Sequence, residues 1–215
     1  FTVISNILKI VPALFLAIML QEGIRGKNVY RTILYLPSIL PFMIIGLTFK
    51  SILNYNTGLL NTVLDVLHLG FFKQKWLSDL NVVWKSIYGV DAWRGIGYVM
   101  TIFLAGLNTI PQTYYEAAKI DGAGFWQRVR HVTLPMLSGA IMINLVFGLT
   151  YGLKVFDVVY VLTNGGPGHA TEVVTTYSYQ LYSSGQYGMS TALNTVLLVI
   201  TAVIGVLVVK TMSRQ

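Results

Sequence analysis

Cysteine is absent from this 215-residue sequence, which removes disulfides, thiolate nucleophiles and cysteine-based zinc clusters from the chemistry open to it. Charge is nearly as scarce. Asp, Glu, Lys and Arg make up 11% of residues against 54% apolar ones, with a mean hydropathy of +0.65. A water-soluble domain carries about 25% charged residues, so a chain this poor in charge needs lipid around it. Acidic residues are scarcer than basic ones, 8 against 15, for a formal charge of +7. That excess would suggest nucleic acid in a soluble protein, but no basic run alternates with aromatics here. Basic loops on the cytoplasmic side of a membrane explain it better. Phe1 to Leu20 lacks a basic leader and a small-residue cleavage site, so it is a poor signal peptide. There is no internal repeat, low-complexity tract or second soluble domain, and residues 1–215 read as a single transmembrane domain.

A bilayer core about 30 Å thick takes roughly 20 helical residues. Five stretches qualify: Thr2 to Leu20, Thr32 to Leu53, Val82 to Leu107, Leu134 to Phe156, and Met189 to Val209. None sustains a two-residue alternation, so helices are expected rather than barrel strands. The fold class is therefore all-α, a polytopic membrane bundle.

The loops set the orientation. Arg25, Lys27 and Arg31 stand in the first loop against Glu22; Lys119, Arg128 and Arg130 in the third against Glu116 and Asp121; Lys210 and Arg214 at the C-terminal end. The segment Asp157 to Gly188 has no Lys or Arg. The positive-inside rule then places the N-terminus outside and the C-terminus in the cytoplasm. An odd span count with an outside start leads us to expect one earlier helix. In the outer loop Asn54 to Leu80, Trp76, Phe71 and Phe72 suit an interfacial position.

The inner loop from Pro111 to Pro135 is distinctive. Thr113 and Tyr115 to Ile120 predict a short amphipathic helix, with Thr113 and Glu116 at capping-box spacing. Gly122 and Gly124 would end it, Phe125 to Val132 would form a second helix, and Pro135 would sit in the first turn of the next span. Helix, glycine turn, helix makes a protruding knob. The run Glu116-Ala117-Ala118, then Gly122, then Val132, Leu134 and Pro135 resembles the EAA loop of ABC-importer permeases, with Val132 where the family usually has Ile. Other stretches resemble the binding-protein-dependent carbohydrate-uptake, maltose-transporter-like branch. These are Arg31-Thr-Ile-Leu-Tyr-Leu-Pro37, Tyr55-Asn-Thr-Gly58-Leu-Leu-Asn61, Phe103-Leu-Ala-Gly106-Leu, and Phe156-Asp157 through Tyr160 and Thr163 to Gly168.

This resemblance covers nearly the whole chain and implies a type I importer permease fold with about six helices in the full subunit. It implies that residues 111–135 couple to an ATPase through Glu116, Ala117, Ala118, Asp121, Gly122, Gly124, Leu134 and Pro135. It also implies a second homologous permease subunit, two ATPase subunits, an extracytoplasmic solute-binding protein and a sugar substrate. The chain itself would hydrolyse nothing and needs no cofactor. An importer for another solute, such as glycerol phosphate or a uronide, and an ATP-independent secondary transporter are the alternatives.

Ionisable residues inside a span are costly and face a cavity or the bundle interior. Asp91 lies roughly 14 Å into the third span, and Asp91, Arg94, Gly95 and Tyr98 share one helical face. In maltose-type permeases the helix before the EAA loop contributes sugar contacts, so the resemblance makes Asp91, Arg94 and Tyr98 candidate substrate residues. The competing expectation is a structural Asp91–Arg94 pair that neutralises itself. Asn144 and Tyr151, seven apart on the fourth span, are further candidates. Asn194 and Thr195 read as packing contacts. The glycine cluster Gly165-Gly166-Pro167-Gly168 lacks the Lys-Ser/Thr of a P-loop, and His68, His131 and His169 are too scattered for a metal site.

Overall fold

In lipid the backbone has no hydrogen-bonding partner but itself. The computed structural model describes residues 1–21 and 26–212, and among them no strand forms. Glu22, Arg25 and Arg214, which entered the charge balance above, lie outside the described residues. The helices are α1 (Thr2–Gln21), α2 (Lys27–Ile39), α3 (Phe42–Ile52), α4 (Leu59–Val66), α5 (Val83–Asn108), α6 (Gln112–Ile120), α7 (Phe125–Arg128), α8 (Leu134–Met136), α9 (Ser138–Leu153), α10 (Asp157–Thr163), α11 (Val174–Ser183) and α12 (Tyr187–Met212).

Three of the five predicted spans are single helices: α1, α5 and α12. The other two are bent. Thr32 to Leu53 is not one rod, because α2 and α3 meet at 93°. Pro41 disfavours the helical region at Leu40, which is extended at φ −70°, ψ 137°, and Pro41 then opens α3. The fourth span starts later than expected. Phe125 to Met136 forms one helical run, through a π turn at Val129–Thr133, and that run meets α9 at 67°. Pro135, without an N–H, cannot close the α-helical bond to the preceding turn, so it sits in the approach to the span rather than in its first turn. The segment 157–188, expected as a loop, holds α10 and α11. α10 packs against α3 and α5, and α11 against α12.

Helices α1 and α12 are long and apolar enough to cross a membrane alone, and each bent pair qualifies if counted as one crossing. α5 has 26 residues, about 39 Å, and is the hub: α1 and α2 lie along it, with α9 and α10 beside it. Its two ends belong to different apolar cores. Val83, Ile87 and Val90 pack with Phe42, Ile45, Val158, Val159 and Leu162. Val99, Met100, Phe103, Leu104 and Leu107 pack with Ala13, Ala17, Leu20, Leu137 and Ala140. Between the cores α5 carries Asp91 and Arg94. The outward faces are apolar: Val199, Val203, Val206 and Leu207 of α12 and Ile7, Val11 and Phe15 of α1 are exposed. Keeping each in water would cost about 1.5–3 kcal/mol relative to burial, so this surface belongs in lipid.

Trp76 is not a free interfacial ring. It packs against the first core, and its Nε1–H donates to Asn61 Oδ1 at 2.8 Å. Phe71 and Phe72 are exposed.

The α2–α5 crossing depends on Gly97. A Cβ there would stand 2.6 Å from the Leu34 carbonyl carbon and 2.8 Å from Tyr35 Cα, both backbone atoms that cannot swing away. Gly97→Ala is expected to destabilise the protein by about 1–3 kcal/mol through overpacking, read as a lower unfolding midpoint in detergent. Gly139→Ala, where nothing lies within 4 Å of the added carbon, is expected to leave the midpoint unchanged or raised.

Candidate functional site

Four polar residues, Thr2, Ser5, Asn6 and Lys9, fall at i, i+3, i+4, i+7 on α1 and so share one face. That face is turned toward α5 and α9. Asp91, 2% exposed, receives it. Its Oδ2 accepts a hydrogen bond from Ser5 Oγ at 2.5 Å and stands 2.9 Å from Lys9 Nζ. Its Oδ1 accepts from the Tyr151 hydroxyl of α9 at 2.7 Å. The Lys9 ammonium also lies 4.4 Å from the Tyr151 ring centroid, at cation–π distance. Three helices are thus joined at one carboxylate.

The expected Asp91–Arg94 pair does not form, because Lys9 reaches Asp91 from the facing helix and takes its place. Arg94 instead lies over the Phe42 ring, 4.2 Å from guanidinium carbon to centroid. Its buried Nε has no hydrogen-bond partner, and it makes no ion pair among the described residues. Ser38 of α2 donates to the Arg94 carbonyl oxygen at 2.7 Å, which fixes the backbone and leaves the side chain to the cavity.

All five candidate substrate residues, Asp91, Arg94, Tyr98, Asn144 and Tyr151, line one cavity of about 470 Å³ between α1, α2, α5 and α9. It lies between the two apolar cores. Their roles differ. Asp91 is occupied by Lys9, Ser5 and Tyr151, so it organises the wall. Tyr98 is 44% exposed and lines the cavity. Asn144 is buried, and its only hydrogen bond among the described residues is a long one, Nδ2 to the Val99 carbonyl at 3.5 Å. Asn6 shares the wall, and its buried Nδ2 has no partner. It fits because α9 has Gly148 opposite, where any Cβ would overlap the Asn6 amide. Ser5, Asn6 and Lys9 were missed in the sequence, although Lys9 within an apolar run is the same signal that singled out Asp91.

The knob is separate. α6 follows α5 directly, so about 21 Å of α5 separates Arg94 from Asn108. Glu116, Ala117, Asp121, Gly122 and Gly124 are exposed and Ala118 is half-buried. Ile120 is 87% exposed and Trp126 69%. The knob is nevertheless held. Tyr115 and Phe125 pack on the second core, and the Tyr115 hydroxyl lies 3.2 Å from Thr133 Oγ1. Leu134 packs there too, whereas Pro135 is exposed. Gly122 turns the chain at φ +77°, a conformation that strains any residue with a Cβ. The expected Thr113–Glu116 capping box does not form, since α6 begins at Gln112 after Pro111 with no side-chain cap. A capping bond appears one helix later, where the Gly124 N–H donates to Gln127 Oε1 at 2.7 Å.

The remaining candidates are structural. Asn194 Nδ2 donates to Ser178 Oγ at 2.8 Å, pinning α12 to α11. The glycine cluster is folded on itself, with Thr171 Oγ1 donating to the Gly166 carbonyl at 2.6 Å. No group of three or more His, Asp or Glu residues among those described could hold a metal.

The model of the family described as binding-protein-dependent transport system inner membrane component matches residues 9–213. The chain is 35% identical over 194 residues to the trehalose/maltose transport system permease protein MalF of Thermococcus litoralis, covering 90% of this chain and 65% of that protein. It is 33% identical over 213 residues to the probable ABC transporter permease protein YurN of Bacillus subtilis, covering 98% and 73%. The chain thus spans about two thirds of the length of these curated relatives. Among solved structures, a bacterial ABC transporter involved in the import of the acidic polysaccharide alginate superposes with a TM-score of 0.87 at 25% identity, over 98% of this chain and 76% of that one.

The Lys9–Asp91 pair yields a prediction independent of transport. Lys9→Met and Asp91→Asn each leave a buried group unmatched and are expected to cost about 3–5 kcal/mol. The double replacement is expected to cost clearly less than the sum. Unfolding midpoints of the four proteins in lipid nanodiscs complete the cycle.

Proposed function

The chain belongs to the binding-protein-dependent transport system inner membrane components, and we propose that it translocates a sugar or oligosaccharide across the cytoplasmic membrane by alternating access driven by separate ATPase subunits. The knob carries this reading. An exposed helix displaying Glu116, Ala117 and Ile120, braced from behind by Tyr115 and Phe125, is built to enter a groove of another protein. A loop that merely joined two spans would need neither the exposed isoleucine nor the bracing. ATP-driven closure of two partner subunits would push on α6, and the push would pass through the second core to the helices around the cavity. Residues 111–135 are in this reading the coupling loop, with Glu116, Ala117, Ala118, Asp121, Gly122, Gly124, Leu134 and Pro135 as its working positions.

The cavity supplies the substrate half. Arg94, Asn144 and Tyr151 offer polar contacts to hydroxyl groups and Tyr98 a ring on which a pyranose can stack. Its volume falls in the ordinary range for small-molecule sites. The named activities of relatives, trehalose/maltose transport and alginate import, support a saccharide. A second homologous permease would complete the pathway, and an extracytoplasmic binding protein would deliver the substrate to the outer face formed by the Asn54–Leu80 and 157–188 segments.

These 215 residues contain no cysteine, so a single thiol can be placed in them at a chosen position. Ala117→Cys in the assembled complex is expected to label only from the cytoplasmic side and to cross-link to an ATPase subunit. Labelling from outside, or no cross-link with the ATPase present, refutes the coupling role. Gly122→Val and Glu116→Ala are expected to lower substrate uptake at least tenfold while basal ATP hydrolysis persists; a secondary transporter would keep its uptake. Tyr98→Ala is expected to reduce substrate-stimulated ATPase activity with assembly unchanged, and no reduction would remove Tyr98 from the substrate site.

A further inference from the structure

The charge lining the cavity does not balance. Lys9 and Arg94 face it with a single carboxylate, Asp91. Lys9 and Asp91 cancel at 2.9 Å, and both Asp91 oxygens are already used by Ser5, Lys9 and Tyr151. Arg94 is the remainder. A guanidinium within a span is costly unless something answers it. Here the Phe42 ring lies on one side, and nothing anionic lies on the other among the described residues.

A second observation points the same way. Tyr35 also lines a neighbouring groove of about 390 Å³, whose other lining residues include Arg31, Thr101 and Asn108 and no Asp or Glu. The buried Nε of Arg31 likewise has no hydrogen-bond partner. Arg31, Tyr35 and Ser38 stand at i, i+4, i+7 on α2 and share a face. Two arginines with no ion pair among the described residues therefore flank one wall, one at the cavity and one toward the end of α2 that the charge rule places in the cytoplasm.

Resting on the importer reading above, we propose that the substrate is an acidic saccharide whose anionic group is bound by Arg94, with Arg31 a second anion-facing position along the same helix face. A neutral sugar would leave the charge of the half-buried Arg94 uncompensated within the span. A carboxylate, sulfate or phosphate ester would compensate it and meet the planar guanidinium with paired hydrogen bonds. Asp91 pairs with Lys9, so Arg94 gives the wall net positive charge.

The test uses the whole complex in nanodiscs and two probes of one shape, digalacturonate and its methyl ester. The wild type is expected to bind the acid about tenfold or more tightly than the ester, as a charge-assisted contact allows. Arg94→Gln is expected to remove the discrimination and Arg94→Lys to keep part of it. Unfolding midpoints within a few degrees of wild type establish that the variants are folded. Equal binding of acid and ester by the wild type, undiminished preference in Arg94→Gln, or no binding of either saccharide would overturn the acidic class. The importer reading is judged apart from it by the Ala117→Cys cross-link, which does not depend on substrate.

Discussion

The ion pair between Lys9 and Asp91 is the contact on which the rest of the bundle depends. A carboxylate near mid-span cannot stand alone in a low-dielectric environment, and neither can an ammonium. Each becomes tolerable only when α1, α5 and α9 are in register, because Ser5, Lys9 and Tyr151 come from two different helices to one residue of the third. Apolar burial is non-directional and specifies the register of helices less sharply than a buried polar contact does. The polar joint fixes which faces of α5 look into the cavity.

That registration has a consequence for motion. The polar layer divides the molecule into two apolar cores, one shared by α3, α5 and α10 and the other by α1, α5 and the base of the knob. Each core is closely packed and moves as a unit more readily than it deforms. α5 runs through both, so in the importer reading a displacement delivered to α6 would pass through the second core and along α5 to the cavity wall. The two sharp bends, 93° between α2 and α3 and 67° before α9, lie on elements that line or flank the cavity. Bends of this kind are tolerated in a membrane only where protein or a polar cavity satisfies the freed backbone groups.

Much of this was legible in the residues. Runs of apolar side chains located the long helices α1, α5 and α12 and both bent pairs, since length against bilayer thickness is a strong constraint. The knob was legible because glycine and proline punctuate it and its Glu-Ala-Ala run is distinctive. The five candidate substrate residues do share one cavity. The partner of Asp91 was not foreseen: helical spacing shows which residues share a face of one helix, as Asp91 and Arg94 do, but says nothing of the face opposite. Lys9 could only have been suspected as an ionisable residue in the first apolar run. The bends escaped because an apolar run reads alike whether straight or broken, although Pro41 marked one break. α10 and α11 escaped because Tyr, Thr and Ser within 157–188 lower the hydropathy of helices that still bury Val158, Val159, Leu162 and Thr176.

The same charge arithmetic separates the two arginines from the lysine. Lysine is a flexible point charge that reaches one partner well, and Lys9 directs its charge to Asp91. Arginine offers five donors in a fixed plane, more than one internal contact needs. Lys at the structural joint and Arg on the open walls is the arrangement these chemistries favour. A compact cation closes a helix–helix contact, and a planar one remains available to a ligand. If Arg94 were structural, the less costly solution in lipid would be a second buried carboxylate beside it or an apolar residue in its place. The sequence has only eight acidic residues, and among the described ones none is an ion-pair partner of Arg94. Among the described residues no anionic group matches its charge, which leaves the guanidinium open to a group that arrives from outside the chain.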